Sequence, residues 1–180
     1  MTAVAPRPVP PRSAAARTFA AAAALVAAVA YGLVALGLRW VMARVFFLSG
    51  QAMIEGPVVP IDLHAADLAF SVTLPAEVRA ETFQMFTTQQ YAELPIDPVV
   101  AAYLFSYAEF VLPICLLVGF ATRIAALGLL AITMLLQVYV VPGMWWAAHV
   151  YWSLILLALI VCGPGAFSID AVIRAVHRRG

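Results

Sequence analysis

The stretch VVAAYLFSYAEFVLPICLLVGFATRIAALGLLAITMLLQVYVV occupies residues 99–141 and decides the fold of this chain. Its only charged residues are Glu109 and Arg123. Thr122-Arg123 divides it into two apolar runs, 99–121 and 124–141, and each is within the range of about 17–25 residues that a membrane-crossing helix needs. The stretch therefore predicts two transmembrane helices joined by a tight connection.

The whole chain has the composition of an integral membrane protein. Of its 180 residues, 65% are hydrophobic and 11% are charged, and the mean hydropathy is +1.00. Soluble domains are about 45–50% apolar and about 25% charged, so this chain has too little polar surface for a water-facing globule. The expected partner is the lipid bilayer. The net charge of +1 provides no basic stripe along which phosphates could bind, which argues against nucleic acid as a partner.

A further apolar run near the N-terminus predicts the first span at residues 19–50. It contains the uncharged segment Phe19–Leu38 and then Arg39 and Arg44. The run is too long for the apolar core of a signal peptide, and no polar mature start follows it. We interpret it as an uncleaved helix of about 30 residues, with first turns that protrude from the membrane or a strong tilt.

The last apolar run predicts a fourth span at residues 147–162. It begins in a belt of aromatic residues typical of a membrane–water interface and ends at Gly163-Pro164-Gly165. The aromatic residues are Trp145, Trp146, Tyr151 and Trp152. Together the four runs predict an all-α fold, an integral membrane bundle of four transmembrane helices.

The remaining segments are expected to lie outside the bilayer. Residues 51–98 form a long polar segment on the outer face, and the apolar spacing in 76–92 predicts a short amphipathic helix on the membrane surface. Proline and arginine predict a disordered basic arm at residues 1–17. Residues 174–180 are expected to be a basic cytoplasmic tail, which leaves 18–173 as the membrane domain.

The arginines predict the orientation of the bundle. With the N-terminus in the cytoplasm, Arg79 alone falls in the outer segment, and the positive-inside rule favours cytoplasmic N- and C-termini and an even number of spans. The arginines then expected inside are Arg7, Arg12, Arg17, Arg123, Arg174, Arg178 and Arg179.

Charged residues at membrane depth are the candidate functional site, because a charge in lipid is expensive and should face a partner. Counted from Gly50 and Val99 at about 1.5 Å per residue, Arg39 and Glu109 lie roughly 16 Å and roughly 15 Å below the outer surface. We therefore expect them to pair, or to share an intramembrane polar cavity with Arg44. Such a set either only orients the helices or forms a pocket for a small ligand, a quinone headgroup or a proton.

Two other polar residues extend this predicted network. Gln137 in the third span can join it by hydrogen bonding, and His149 lies near the outer end of the fourth span, a position typical of an interfacial hydrogen-bonding residue. Met144, Met53 and His64 are candidates for a soft copper site, although no spacing connects them, so the metal ligands stay unknown. No GxSxG, HExxH, Walker or GxGxxG motif is present, and no catalytic residue is predicted.

Three stretches resemble the DoxX family of small bacterial membrane proteins. They are LRWVMARVFFLSG (38–50), YAEFVLPICLLVGFATRIAALGL (107–129) and LLALIVCGPGAFSID (156–170). The resemblance implies a four-helix membrane bundle. The sequence departs from the family pattern in lacking a lysine after Gly50 and in carrying Arg44 at a usually apolar position. The family-pattern residues are Arg39, Gly50, Glu109, Arg123, Gly163, Pro164, Gly165 and Asp170.

The resemblance also suggests a function. The family is named for an association with a quinol oxidase, and its members are linked to membrane redox or thiol-stress complexes, while others are encoded beside metal-handling proteins. It implies an accessory inner-membrane subunit of a redox or stress-response complex, with a quinone as a candidate cofactor. The alternatives are a small transporter or metal-trafficking protein, and a membrane anchor for a periplasmic enzyme. The expected partner is a membrane or periplasmic oxidoreductase or a metal-handling protein.

Overall fold

A computed structural model describes residues 14–63, 68–178 and 180. Four of its helices are long and apolar enough to cross a membrane, namely Ala14–Met53, Pro98–Val118, Thr122–Val140 and Pro142–Cys162. The predicted all-α membrane bundle is therefore confirmed. Residues 1–13 of the predicted N-terminal arm lie outside the described residues, and residues 14–17 form the first turn of the first helix.

The elements follow one another in a simple order. The helices are α1 Ala14–Met53, α2 Ala80–Thr87, α3 Pro98–Val118, α4 Thr122–Leu135, α5 Val150–Cys162 and α6 Ile169–His177. Between α1 and α2, strand β1 Ile54–Glu55 pairs antiparallel with β4 Glu77–Val78, and β2 Val58–Leu63 forms a hairpin with β3 Leu68–Thr73. The hairpin thus marks one end of the bundle, and α6 marks the other.

The ends of α3 follow from its local sequence. The Asp97 side chain accepts hydrogen bonds from the N–H groups of Val99 and Val100, and Pro98 occupies the first helical turn, where a missing N–H is harmless. At the other end Gly119 takes a φ of 74°, the left-handed conformation that commonly ends a helix. The helix therefore ends at Val118, slightly before the predicted boundary.

The junction between α4 and α5 differs from its prediction. A π-helical turn at Leu136–Val140 continues α4, and a second one at Trp145–His149 leads into α5. The fourth span consequently begins at Pro142 rather than at residue 147. The predicted boundary treats Pro142 as part of a loop, but a proline fits well in the first turn of a helix.

The first helix is longer than predicted. It contains 40 residues, which correspond to about 60 Å, or twice the roughly 30 Å of a hydrocarbon core. Residues 14–30 are all exposed, and the buried positions begin at Gly32. Only the second half of α1 therefore packs into the bundle, and its first turns project beyond the α6 end.

The four long helices close into a ring. α1 packs on α3, α3 on α4, α4 on α5, and α5 returns to α1. At the crossing of α1 and α3, a Cβ on Gly50 would lie 2.7 Å from the main-chain oxygen of Glu109. The two backbones therefore touch at this point, as is common where membrane helices meet at a small residue.

The amphipathic helix of the outer segment is present as α2, but it lies on protein. Its Phe86 is fully buried, with ring centroids 5.3 Å from Phe105 of α3 and 4.8 Å from Tyr91. Phe83 likewise packs edge-on against Tyr103 of α3. The apolar side of α2 thus packs on α3, because α3 extends beyond the level of Gly50 and offers an apolar face that α2 covers.

Candidate intramembrane polar site

Arg39 is fully buried near the α6 end of the bundle. Its guanidinium donates to the main-chain carbonyl of Leu117 at 3.4 Å and to that of Phe167. Carbonyls in the last turn of a helix carry a partial negative charge and lack helical partners. Arg39 thus connects α1 to the C-terminal end of α3 and to the loop that precedes α6.

The predicted pair of Arg39 and Glu109 does not form. Glu109 lies beside Gly50, whereas Arg39 contacts Leu117, and the segment of α1 between positions 39 and 50 is about 16 Å long. The prediction places Gly50 and Val99 at the same depth. In the structure α3 begins about 15 Å beyond Gly50, where α2 covers it.

Glu109 is instead the centre of a small buried polar cluster. The side chain is 1% exposed and lies near the Ser49 side chain. Its Oε2 atom and the Oγ atom of fully buried Ser106 have no hydrogen-bond partner within residues 14–63 and 68–178. Ser106 and Glu109 are three positions apart on α3 and so share one helix face. An unpartnered buried polar group costs about 1–3 kcal/mol, so this cluster is disposed to take up a proton or a hydrogen-bonding ligand.

Tyr91 is a further neighbour of this cluster. Its ring packs on Phe86. Burial, and then the negative charge of Glu109, raises the pKa of Tyr91 above its ordinary value of 10.0. Tyr91 therefore keeps its hydroxyl proton at neutral pH. No spacing pattern marks it, because the turn between α2 and α3 brings it over the bundle.

Gln137 and His149 form a second polar pair at the hairpin end. The Nδ1 atom of His149 lies 2.7 Å from Oε1 of Gln137, and Nε2 of Gln137 donates to the carbonyl of Pro142 at 2.7 Å. Since the amide oxygen only accepts, this network assigns the hydrogen to Nδ1 of His149. The ring is 3% exposed and lies 5.2 Å from that of Trp152. His149 is therefore buried in the bundle, where its ring joins the two π-helical turns through Gln137.

Arg44 does not reach the interior. It is exposed and lies in a groove of about 910 Å³ between α1, α3 and β3. Ala43 points into the bundle and is buried. The next residue along the helix, Arg44, therefore points away from the bundle. We call this hollow the Arg44 groove; its other lining side chains include Trp40, Phe47, Phe70, Ser71, Pro113 and Leu117.

The hairpin is attached to the Arg44 groove by a side chain. Nε2 of Gln51 donates to the carbonyl of Thr73 at 3.0 Å, and the Thr73 N–H donates to Oε1 of Gln51 at 2.6 Å. The Gln51 side-chain amide therefore makes the same two hydrogen bonds to Thr73 of β3 that the backbone of a neighbouring strand would make. As a result, Phe70 to Thr73 form one wall of the groove.

Asp170 joins α6 to the N-terminal end of α4. Its carboxylate accepts from the N–H groups of Ala121 and Thr122 at 2.9 and 3.0 Å, and from the Thr122 hydroxyl at 2.9 Å. Burial raises the pKa of Asp170, but these hydrogen bonds and the nearby Arg174 outweigh it and hold the pKa below its ordinary value of 3.8. Asp170 is thus an ionised cap for α4.

The other family-pattern residues surround the contact between Asp170 and α4. Arg123 donates to the carbonyl of Val161 at 3.3 Å, and the Tyr31 hydroxyl donates to that of Gly163 at 2.7 Å. A Cβ on Gly165, whose φ is 78°, would lie 2.9 Å from the Cα of Gly32 in α1. These residues, with Pro164 between the two glycines, hold the loop after α5 against α1.

The described residues contain no group of three or more His, Cys, Asp or Glu side chains that could hold a metal ion. Of the copper candidates, Met53 is buried in the core and Met144 is 42% exposed, while His64 lies outside the described residues. The structure therefore adds no support for a copper site.

Comparison with known proteins identifies the family. The DoxX family model matches residues 34–143, which is more than half of the 180-residue chain. The match includes Arg39, Arg44, Glu109 and Gln137 and ends before His149 and the joint around Asp170. No curated protein and no solved structure matches this chain. The length of the family match shows that the chain belongs to the DoxX family, as a membrane protein with four candidate transmembrane helices.

Proposed function

We propose that this chain is an accessory subunit of a membrane redox or stress-response complex in a bacterial inner membrane. In this proposal both termini are cytoplasmic, the chain binds a quinone, and a partner oxidoreductase performs the redox chemistry. The observation that carries the proposal is the Arg44 groove, a hollow of about 910 Å³ between α1, α3 and β3.

The lining of the Arg44 groove fits a quinone by its chemistry. A quinone presents an apolar ring with carbonyl oxygens that only accept hydrogen bonds, and a guanidinium only donates them. The rings of Trp40, Phe47 and Phe70 provide flat apolar surface around Arg44. By contrast, the cluster at Glu109 is enclosed, and the backbones of α1 and α3 touch beside it. The groove is therefore the better site for the ring.

The hairpin β2–β3 supports the expectation of a protein partner. Several of its apolar side chains are exposed, including Val58 at 59% and Phe70 at 51%, and a two-stranded hairpin leaves backbone groups unpaired along its edges. Because β3 also lines the Arg44 groove, a partner on the hairpin would sit beside a quinone bound there. In this proposal the chain presents the quinone, and the partner supplies the redox centre.

The test is purification of the full chain in mild detergent, followed by quinone extraction and identification of proteins that elute with it. We expect stoichiometric quinone with the unaltered chain, at least a tenfold loss for Arg44→Gln, and no change for Arg178→Gln. Arg178 is a suitable control because it is also an exposed arginine but lies at the α6 end. A chain that elutes alone and free of quinone would overturn the proposal.

The buried cluster at Glu109 favours a second candidate, a small transporter coupled to protons. A carboxyl oxygen without a partner inside a membrane protein is typical of a proton-binding site. Proteoliposomes containing a pH-sensitive dye test this candidate. Proton flux that Glu109→Gln abolishes and Glu55→Gln preserves would support it, because Glu55 is an exposed carboxylate on β1. Absence of flux in the unaltered chain would contradict it.

A further inference from the structure

The last helix, α6, has two different faces. Its apolar residues recur with the spacing i, i+3, i+4 and i+7 that places them on one side of a helix. All of them are substantially exposed: Ile169 42%, Val172 62%, Ile173 41% and Val176 64%. A helix with this pattern binds in the interfacial layer of a membrane, with its apolar face toward the acyl chains.

Contacts with the bundle fix the position of α6. The N–H of Asp170 donates to the carbonyl of Gly119 at 2.9 Å, and its carboxylate caps α4. Ser168 accepts from the Ala171 N–H at 3.1 Å and caps α6 itself. α6 is thus attached where α3 ends and α4 begins, which is the level at which these spans leave the hydrocarbon.

Between α6 and the bundle lies a hollow of about 660 Å³, which we call the Arg123–Arg174 hollow. Both arginines line it and both are exposed. Asp170 also lines it, but each of its carboxylate oxygens already accepts hydrogen bonds from the N-terminal end of α4. The two guanidinium groups outnumber this one carboxylate, so the hollow keeps a net positive charge.

The hollow is continuous with surface that faces the acyl chains. Ile124 lines it and is 72% exposed, and Val161, which accepts a hydrogen bond from Arg123, is also 72% exposed. The charged part of a ligand in this hollow can contact the arginines. Its apolar part can contact the lipid-facing surfaces of α4 and α5. Guanidinium groups bind phosphate oxygens through strong charge-assisted hydrogen bonds.

We propose that the Arg123–Arg174 hollow binds the phosphate of an anionic phospholipid and that α6 lies in the headgroup layer around it. A zwitterionic headgroup fits less well. Its cationic nitrogen would meet Arg123 and Arg174, while the carboxylate of Asp170 is engaged with α4. The site therefore discriminates by the net charge of the headgroup.

Native mass spectrometry of the detergent-purified full chain tests the site. The probes are phosphatidylglycerol and phosphatidylcholine with identical acyl chains, and the measured quantity is the apparent Kd of the first bound lipid. We expect phosphatidylglycerol to bind about tenfold more tightly to the unaltered chain, Arg174→Gln to remove most of this preference, and Arg178→Gln to keep it. Equal affinities for both lipids would overturn the proposal, and so would equal effects of the two substitutions.

Arg174 is the residue of choice for this test. Within the described part of the chain its side chain makes no hydrogen bond, whereas Arg123 holds the carbonyl of Val161, so Arg174→Gln removes charge without breaking a hydrogen bond. Excess inorganic phosphate separates a lipid site from a site for free anions. We expect it to leave phosphatidylglycerol binding unchanged, and displacement of the lipid by millimolar phosphate would contradict the proposal.

A second measurement tests the position of α6 without relying on affinity. Spin labels at Val176→Cys and Arg178→Cys, in a chain with Cys115→Ala and Cys162→Ser, report contact with oxygen or with a water-soluble relaxation agent in phosphatidylglycerol vesicles. We expect oxygen to dominate at position 176 and the aqueous agent at position 178. Equal aqueous access at both positions would overturn the interfacial placement of α6.

Discussion

Gly50 of α1 lies directly against the main-chain carbonyl of Glu109 in α3, so that a Cβ at position 50 would be 2.7 Å from that oxygen. This contact sets the register of the two helices. It brings the hydroxyl of Ser49 to the Glu109 carboxyl and leaves Arg39 to the carbonyls of Leu117 and Phe167. The close approach at Gly50 therefore keeps Arg39 and Glu109 apart.

Substitution of Gly50 tests this register. We expect Gly50→Ala to destabilise the fold by about 1–3 kcal/mol, because the new methyl group forces the backbones of α1 and α3 apart. Thermal unfolding in detergent measures the change. Gly37→Ala is the control, since a Cβ there meets nothing within 4 Å, and a helical alanine in place of glycine stabilises by roughly 0.5–1 kcal/mol. Equal melting temperatures for the two variants would contradict this account of the helix crossing.

Arg39 is expected to be a structural residue. Arg39→Gln should lower the free energy of unfolding by about 3 kcal/mol, because hydrogen bonds to charged groups contribute about 1.5–3 kcal/mol each and two main-chain carbonyls lose their donor. Arg44→Gln serves as the comparison. Because Arg44 is exposed, its loss should change stability by no more than about 0.5 kcal/mol. Comparable losses for both variants in a denaturant titration would refute the difference in role.

The unpartnered atoms of Ser106 and Glu109 predict an unusual response to mutation. Ser106→Ala and Glu109→Gln should leave stability unchanged or raise it by up to about 2 kcal/mol, because each removes a buried group with an unmet hydrogen bond or charge. Thermal unfolding of the two single variants gives the answer. Functional residues often reduce stability in this way. A loss above about 1 kcal/mol in both variants would mean that these atoms have partners in the folded protein.

Asp170 predicts a dependence of stability on pH. Its pKa in the folded chain lies below 3.8, so its contribution is fully present above pH 3.8 and is lost as the pH falls through the lowered folded value. Asp170→Asn should therefore cost about 1–2 kcal/mol at pH 7, the usual value of a helix cap, and this difference should shrink in acid. Unfolding of both chains at pH 7 and below pH 3.8 measures it, with Glu55→Gln at the exposed residue of β1 as the control. A difference that stays constant over this range would contradict the ionised cap.

The sequence by itself determined the long helices of this protein. Four apolar runs predict the four helices because hydrophobic length is a local property that a bilayer selects directly. The start of α3 at Asp97-Pro98 and its end at Gly119 follow from local backbone preferences in the same way. The predicted amphipathic segment also contains a helix, although its apolar face lies on α3 instead of lipid.

Only the tertiary structure decided which polar residues meet. Hydropathy places Arg39 and Glu109 at one depth, but the contact at Gly50 shifts α3 so that Glu109 reaches Ser49 instead. Likewise, two π-helical turns bring Gln137 to His149. The length of an apolar run fixes the position of its helix along the bilayer normal only to within several residues. Contacts between small residues and backbone then choose the register, and a shift of a few residues changes every polar partner.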